Sequence, residues 1–303
     1  MNQKISIRFF NDREVRAAWD EASSQWLFSV SDVVGVLTES TNPRKYWSVL
    51  KNRLRREHSE LTTNCSQLKM TAADGKRYLT DCMSQQHILA LVEFLPSRRA
   101  VPFIKWLTYS EDTIDGKSRS KAYALFESGL LASMKPGTVQ CLQQIHAYLF
   151  GGLYDFAGKV RTVNISKGNF TFAPARFLKN TLLQIEKMPE AAFDEIVGKY
   201  VEMNVAHPFR EGNGRATRIW LDLMLKANLK KCVDWSQVNK KAYLEAMTES
   251  PSDSTKIRAL LTHALTDKIN DREMFMKGID YSYYYESDDP VMEPDEIEHG
   301  TNR

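Results

Sequence analysis

The sequence predicts a mainly α protein: an all-helical core carrying one β-hairpin flap, preceded by a smaller α+β domain. Three observations predict it. From residue 121 onward, apolar residues recur at helical spacing almost without interruption. Residues 1–35 instead alternate apolar and polar side chains in short runs (ISIRFF, VRAAW, WLFSV), the period of half-buried strands. Inside the helical part, RTVNISKGNFTFAP (161–174) sets β-branched and aromatic residues in alternation around Lys167-Gly168-Asn169, which reads as a hairpin.

In chain order, turns at NDRE and DEASSQ separate three short strands. SDVVGVL reads as a helix with Ser31 or Asp32 as its N-cap. NPRKYWSVLKNRLRREH reads as an amphipathic helix, with Tyr46, Trp47, Leu50 and Leu54 on one face and Arg44, Lys45, Lys51, Arg53, Arg55 and Arg56 on the other. LKMTAADGKRYLTD turns at Asp74-Gly75 as a hairpin. HILALVEFLPSRRAVPFIKWLTY supplies helix interrupted at Pro96 and Pro102. Residues 1–110 thus form the first domain. A polar stretch marks a linker over 111–120, and a second domain follows over 121–286. Its helices are expected over 120–131, 138–150, 175–187, 190–206, 213–228, 235–249, 253–266 and 270–278.

Composition narrows the class. Of 303 residues, 43% are hydrophobic and 26% charged, the balance of a soluble globular protein. No run approaches the ~18 apolar residues of a membrane span, and MNQKISIRFF lacks the apolar core of a signal peptide. Four cysteines without a CxxC pair fit free thiols in a reducing, cytoplasmic compartment. The net charge of +3 hides an asymmetry: residues 1–110 hold 16 Lys and Arg against 11 Asp and Glu, while 286–303 hold one Arg against seven acids. The acidic tail 287–303 is expected to be disordered. The basic excess at the other end, concentrated in 44–56, permits a DNA partner without requiring one.

The chemistry concentrates in HPFREGNGR, residues 207–215. A helix ends at His207-Pro208, because proline disfavours helix in the residue before it. ATRIWLDLMLKANL then restarts a helix, so Gly212-Asn213-Gly214 lies at an N-terminus whose unpaired N–H groups attract an anion. Arg215 and Arg218, one turn apart, suit bidentate contacts to a phosphate chain beginning there. Glu211 would be repelled by those phosphates unless a cation lay between, which makes it a natural Mg²⁺ ligand. It is the only acid in the loop, and Arg215 is expected to have no acidic partner in its own turn. His207, with an ordinary pKa near ~6.5, can serve as base toward a hydroxyl. Singly, each residue is more often structural; their conjunction describes a nucleotide phosphate site with a base beside it.

HPFREGNGRATR also resembles the signature of the Fic (Fic/Doc) family, HxFx(D/E)GNGRxxR, at every defined position. The resemblance extends to IHAYLFGGLYDFAGKVRTVNISKG and covers 121–286. It implies a Fic core in which AMP passes from ATP, with Mg²⁺, to a Tyr, Ser or Thr hydroxyl of a target protein. His207 would be the general base, Glu211 the metal ligand, and Gly212, Asn213 and Gly214 the anion hole. Arg215 and Arg218 would hold the outer phosphates, with Ala216 and Thr217 between them. Lys167, Asn204, Val205, Ala206 and Leu244 would border the nucleotide. Ile165, Ser166, Lys167, Gly168, Asn169 and Phe170 would form the flap that aligns a target segment as an added strand. Gly214 departs from the lysine of phosphorylating relatives, which favours AMP transfer. Ser282 and Glu286 resemble the inhibitory (S/T)xxxE(G/N) motif in its C-terminal arrangement, with Ser287 replacing the usual Gly or Asn. Glu286 would then pair with Arg218, and Tyr283 would be the self-modification site.

Residues 1–110 resemble, more loosely, BRO-type antirepressor domains (FFNDREVRAAW, FSVSDVVGVL, YWSVLKNRL, DGKRYLTD). That resemblance leaves two roles open, a DNA contact through 44–56 or a protein adaptor. A DNA-binding regulator with a degenerate nucleotide-sensing half is the alternative for the whole chain, and homo-oligomer formation stays open.

Overall fold

A computed structural model describes residues 5–10, 13–57, 60–72, 74–109, 113–167 and 170–286. The expected disorder of 287–303 and the residue Ser287 lie outside these. The chain divides into two compact units, Met1–Gly116 and Lys117–Arg303.

The first unit is built on an antiparallel sheet. Its strands are β1 (Ile5–Phe10), β2 (Arg13–Asp20), β3 (Gln25–Ser29), β4 (Ser66–Thr71) and β5 (Arg77–Ser84), in the order β1-β2-β3-β5-β4. β4 and β5 pair from Ser66↔Cys82 to Thr71↔Arg77 around Gly75, which takes the positive φ of 76° that only glycine adopts cheaply. Four helices complete the unit: α1 (Val30–Thr38), α2 (Pro43–Arg56), α3 (Gln85–Val92) and α4 (Ala100–Tyr109). Val15, Ala17 and Phe28 of the sheet bury against Val33 and Leu37 of α1 and Leu50 and Leu54 of α2.

Three local expectations are corrected here. The N-cap of α1 is Ser29, not Ser31 or Asp32: it ends β3 in extended geometry, and its hydroxyl accepts from Asp32 N. Pro102 does not interrupt a helix; it sits in the first turn of α4, where a missing N–H costs nothing. On α2, Lys51 does not belong to a free basic face. Its Nζ lies 2.6 Å from Asp81 Oδ2, which also accepts from Trp47 Nε1 at 2.7 Å. Arg44, Lys45, Arg53, Arg55 and Arg56 are exposed.

The second unit is helical. α5 (Ile114–Glu127) begins in what was expected to be a linker, because Thr113 Oγ1 caps it by accepting from Gly116 N. There follow α6 (Val139–Phe150), the short strands β6 (Ser166–Lys167) and β7 (Phe170–Thr171), α7 (Ala175–Glu186), α8 (Phe193–Ala206) and α9 (Asn213–Leu229). The chain closes with β8 (Cys232–Val233), α10 (Lys240–Glu249), α11 (Thr255–His263), β9 (Leu265–Thr266) and α12 (Arg272–Tyr284). α9 is the axis of this unit: Ala216, Trp220, Leu221, Met224 and Leu225 are fully buried.

Helix ends differ from the periodicity where caps intervene. The helix expected over 235–249 breaks into a 3₁₀ turn at Trp235–Gln237 and α10, because Asn239 Oδ1 accepts from Ala242 N and starts a new helix. The one expected over 253–266 ends at His263, and β9 pairs with β8 instead. α12 runs past 278 to Tyr284 because Tyr281 and Tyr285 bury there, Tyr285 O–H donating to Val238 O at 2.7 Å. All four cysteines are free thiols. Among the described residues, no helix is long and apolar enough to cross a membrane.

Candidate active site

The loop 207–212 joins α8 to α9, and each of its features has a local cause. His207 leaves the helix in the left-handed conformation (φ 46°) while its N–H still bonds Met203 O at 3.0 Å. Pro208 follows, with no N–H to extend the helix. Asn213 then staples the loop, its Oδ1 accepting from Phe209 N at 2.9 Å and its Nδ2 donating to Phe209 O at 2.8 Å. Gly212 caps α9 at φ 79°; a Cβ there would lie 2.4 Å from the Phe150 ring. The opening N–H groups of α9 have no acceptor within the helix, the arrangement that attracts an anion.

His207 is buried, its ring stacked on Phe172 at 3.7 Å between centroids. Nδ1 lies 3.1 Å from Asn204 O. A carbonyl only accepts, so Nδ1 carries the proton and Nε2 the lone pair. Burial pushes the imidazole pKa down to about 3, the charges of Lys167 and Arg161 push the same way, and the Asn204 bond and Glu286 oppose them. The ring is therefore neutral.

Glu211 Oε1 accepts from Gly212 N and from Arg215 Nη2, both at 2.8 Å. This corrects the expectation that Arg215 has no acid in its own turn: positions 211 and 215 are four apart, and the loop curls tightly enough to act as helix. The Arg215 guanidinium also lies over the rings of Phe150 (4.9 Å) and Tyr283 (5.5 Å). Arg218, buried, donates from Nε to Ser282 Oγ at 2.7 Å, from Nη2 to Ser282 O at 2.5 Å, and to Glu286 Oε1. Burial lowers the basicity of Arg218, yet Glu286, Tyr243 and Tyr200 together more than offset this. Burial likewise pushes the Glu286 carboxyl up, but the charges of Arg218, Arg215 and Lys167 hold it below its ordinary value. Gly214 faces this pair: a Cβ there would lie 2.8 Å from Glu286 Oε1 and 3.0 Å from Arg218 Nη1.

The other expected positions gather more unevenly. Ser166 and Lys167 of the flap pair with Thr171 and Phe170, and Gly168 and Asn169 lie outside the described residues. Ile165 is 2% exposed, so it anchors the flap and presents no side chain to a target. The carbonyls of Asn204, Val205 and Ala206 accept from His207, Ala173 N and Arg161. Ala216 and Thr217 are buried, and Thr217 Oγ1 donates back to Asn213 O, leaving it no polar atom to spare. Leu244 is half-buried beside Tyr243, whose hydroxyl meets both Arg218 Nη1 (3.4 Å) and Tyr200 (2.5 Å). Tyr283 O–H donates to Ser118 Oγ at 2.9 Å. Mg²⁺ would find at Glu211 a partly exposed carboxylate whose two protein bonds fall on one oxygen, leaving Oε2 for a cation. Among the described residues no three His, Cys, Asp or Glu cluster, so the ion would complete its shell with phosphate oxygens and water.

Three residues of the site carried no sequence signal. Arg161 bonds the carbonyls of the loop, and Phe172 stacks on the His207 ring. His146, stacked on Phe209, holds the loop from below, its Nε2–H donating to Glu211 O at 2.9 Å and its Nδ1 accepting from Gly158 N. A lone histidine in an apolar helix gives no sign of such a partner.

Residues 136–225 match the Fic/DOC family. The chain is 32% identical over 169 residues to "Protein adenylyltransferase VbhT" of Bartonella schoenbuchensis, covering 51% of this chain but only 35% of that protein. It is 28% identical over 139 residues to "Probable protein adenylyltransferase Fic" of Escherichia coli, covering 42% of this chain and 68% of that one. Among solved structures, the BepC effector of Bartonella tribocorum, with bound AMPPNP, is similar with a TM-score of 0.44 and 19% identity, over 57% of this chain and 92% of that one.

Proposed function

We propose that the chain, which carries a Fic/DOC family domain over 136–225, is a protein adenylyltransferase. It transfers AMP from ATP to a Tyr, Ser or Thr hydroxyl of a target protein and of itself, and Glu286 holds it in check. The observation that carries this reading is the free Nε2 of a neutral His207 beside the open N-terminus of α9. The naming of relatives as protein adenylyltransferases supports it.

In this reading the target hydroxyl oxygen bonds to the α-phosphorus, the bond from that phosphorus to the bridging oxygen breaks, and pyrophosphate leaves. The hydroxyl proton passes to His207 Nε2, whose Nδ1–H is already fixed on Asn204. The α9 N-terminus stabilises charge on the non-bridging α oxygens. Mg²⁺ held at Glu211 would neutralise phosphate charge. Arg215 and Arg218 take the outer phosphates once each exchanges its carboxylate partner for them. The flap offers its backbone to the target segment as an added strand.

The decisive experiment incubates the protein with a target lysate, Mg²⁺ and ATP labelled at the α-phosphate. Label should move to protein; label supplied at the γ-phosphate should not. Transfer from the γ position alone would replace this reading with a kinase.

A pH profile follows from the base. A histidine whose pKa is lowered is in its working, neutral form above that pKa and loses it only as pH falls through it. With His207 pushed down to about 3, the acid limb of kcat/KM is expected well below the ordinary histidine range near ~6.5. A limb centred at an ordinary histidine pKa would remove His207 from that role. For the first unit, the exposed Arg53, Arg55 and Arg56 of α2 support a nucleic-acid contact. Reversing all three to Glu should abolish duplex binding, whose affinity in the unaltered chain should fall steeply with salt; a flat salt dependence favours a protein-adaptor role.

A further inference from the structure

We propose that Arg161 is the positioning residue that sets the base-bearing corner and the flap in register with each other. Its place in the chain is four residues before Ile165 of the flap, yet most of its bonds go to the end of α8 and the loop after it. Nε donates to His207 O at 2.7 Å and Nη2 to Ala206 O at 3.0 Å, while its backbone N–H donates to Pro208 O at 2.8 Å. These are three consecutive carbonyls, of the last residue of α8 and the two that follow it, where helix geometry provides no donors and Pro208 removes one more. The other side of the same guanidinium reaches the flap: Nη1 donates to Val163 O at 2.7 Å and Nη2 to Ala173 O at 2.6 Å. Val163 and Ala173 are the two feet of the hairpin.

Arg161 is 4% exposed, and no carboxylate among the described residues pairs with it. Its counter-charge is the set of carbonyl dipoles itself, at the negative end of α8. A buried cation so held is costly unless every bond is made, which is why the arrangement resists small displacements. Arginine is required by shape. Its planar fork spans two segments at fixed angles, whereas a lysine ammonium is one point and reaches only one of them. The consequence for chemistry is geometric. The flap would present the target hydroxyl, the corner presents Nε2, and their separation is set through one rigid group. The catalytic consequence rests on the adenylyl-transfer reading; the clamp does not.

Arg161→Lys and Arg161→Gln in the full chain, labelled with ¹⁵N-histidine, test this by spectra that correlate ring nitrogens with carbon-bound ring protons. Wild type should show His207 as a single Nδ1–H tautomer and, in a uniformly ¹⁵N-labelled sample, the flap amides of Phe172 and Ala173, bonded to Ile165 O and Val205 O, protected from exchange. In Arg161→Lys the tautomers should mix and flap protection should fall, while nucleotide affinity, set by α9, stays unchanged. Transfer should drop about 10²-fold, the cost of misplacing reacting groups by roughly an ångström. A wild-type tautomer and wild-type flap protection in Arg161→Lys would overturn the proposal. If neither variant folds, ¹⁵N-arginine spectra of the unaltered chain decide: a slowly exchanging Arg161 Nε–H with hindered guanidinium rotation is expected, and a freely rotating group overturns it. These readouts need no turnover, so a Glu286→Gly chain without transfer would sink the adenylyltransferase reading and leave the clamp standing.

Discussion

His207→Ala is expected to abolish protein labelling from ATP while leaving nucleotide affinity nearly intact. Removing a general base costs about 10²–10⁴-fold, and nothing in the phosphate contacts passes through the imidazole. The α9 N-terminus is formed by Gly212 to Gly214, and the loop before it is stapled by Asn213 on Phe209. The ring does pack on Phe172, so some loosening of the flap will accompany the mutation. His207→Gln separates the two effects, because it keeps bulk in the gap and still lacks a base near neutral pH. Calorimetric titration with a non-hydrolysable ATP analogue and a labelling assay on the same sample give both numbers. Comparable labelling by either variant would strip His207 of the role. Lost nucleotide affinity in both would mean that the histidine builds the site and does not act in it.

Much of the site was legible because its chemistry is local. A histidine before proline, a glycine pair and two arginines one turn apart fix a helix end, a turn and a face by short-range geometry alone. The β4–β5 hairpin was legible for the same reason, since Asp74-Gly75 specifies its own turn. What escaped reading depends on partners distant in the chain. Arg161 bonds carbonyls of residues 206–208, and carbonyls have no sequence signature. Lys51 reads as one of a basic row until Asp81 arrives from another element. The Glu211–Arg215 pair is different, since its four-residue spacing was visible; it was missed because residue 211 was counted as loop and not as the turn before α9. Helix ends failed where a side-chain cap outvoted periodicity, as Ser29 and Asn239 did.

Glu286→Gly is expected to raise adenylylation of target and of the protein itself. In the closed arrangement Glu286 Oε1 and Ser282 O share Arg218 Nη2, Ser282 Oγ takes Nε, and the Tyr243 hydroxyl meets Nη1. An arginine so engaged cannot close on a phosphate, and the carboxylate beside Gly214 would repel one. A charge-assisted hydrogen bond contributes about 1.5–3 kcal/mol, so freeing Arg218 should raise the rate roughly 10- to 100-fold. α12 would stay docked without Glu286. It is fastened to α5 by Tyr123 on Asp280, Arg272 on Glu127 and Tyr283 on Ser118, and Phe126 stacks on Phe275 at 3.9 Å. The mutation therefore removes the competing charge and keeps the fold, which makes the rate interpretable. Self-labelling has a further requirement, because the Tyr283 hydroxyl is spent on Ser118 until the last turn of α12 loosens. Target labelling should accordingly rise more than self-labelling, and Tyr283→Phe in the Glu286→Gly background should remove the self-transferred label alone. Assays at high dilution exclude transfer between copies. An unchanged target rate in Glu286→Gly would leave the Arg218–Glu286 pair as packing and take the brake out of the mechanism.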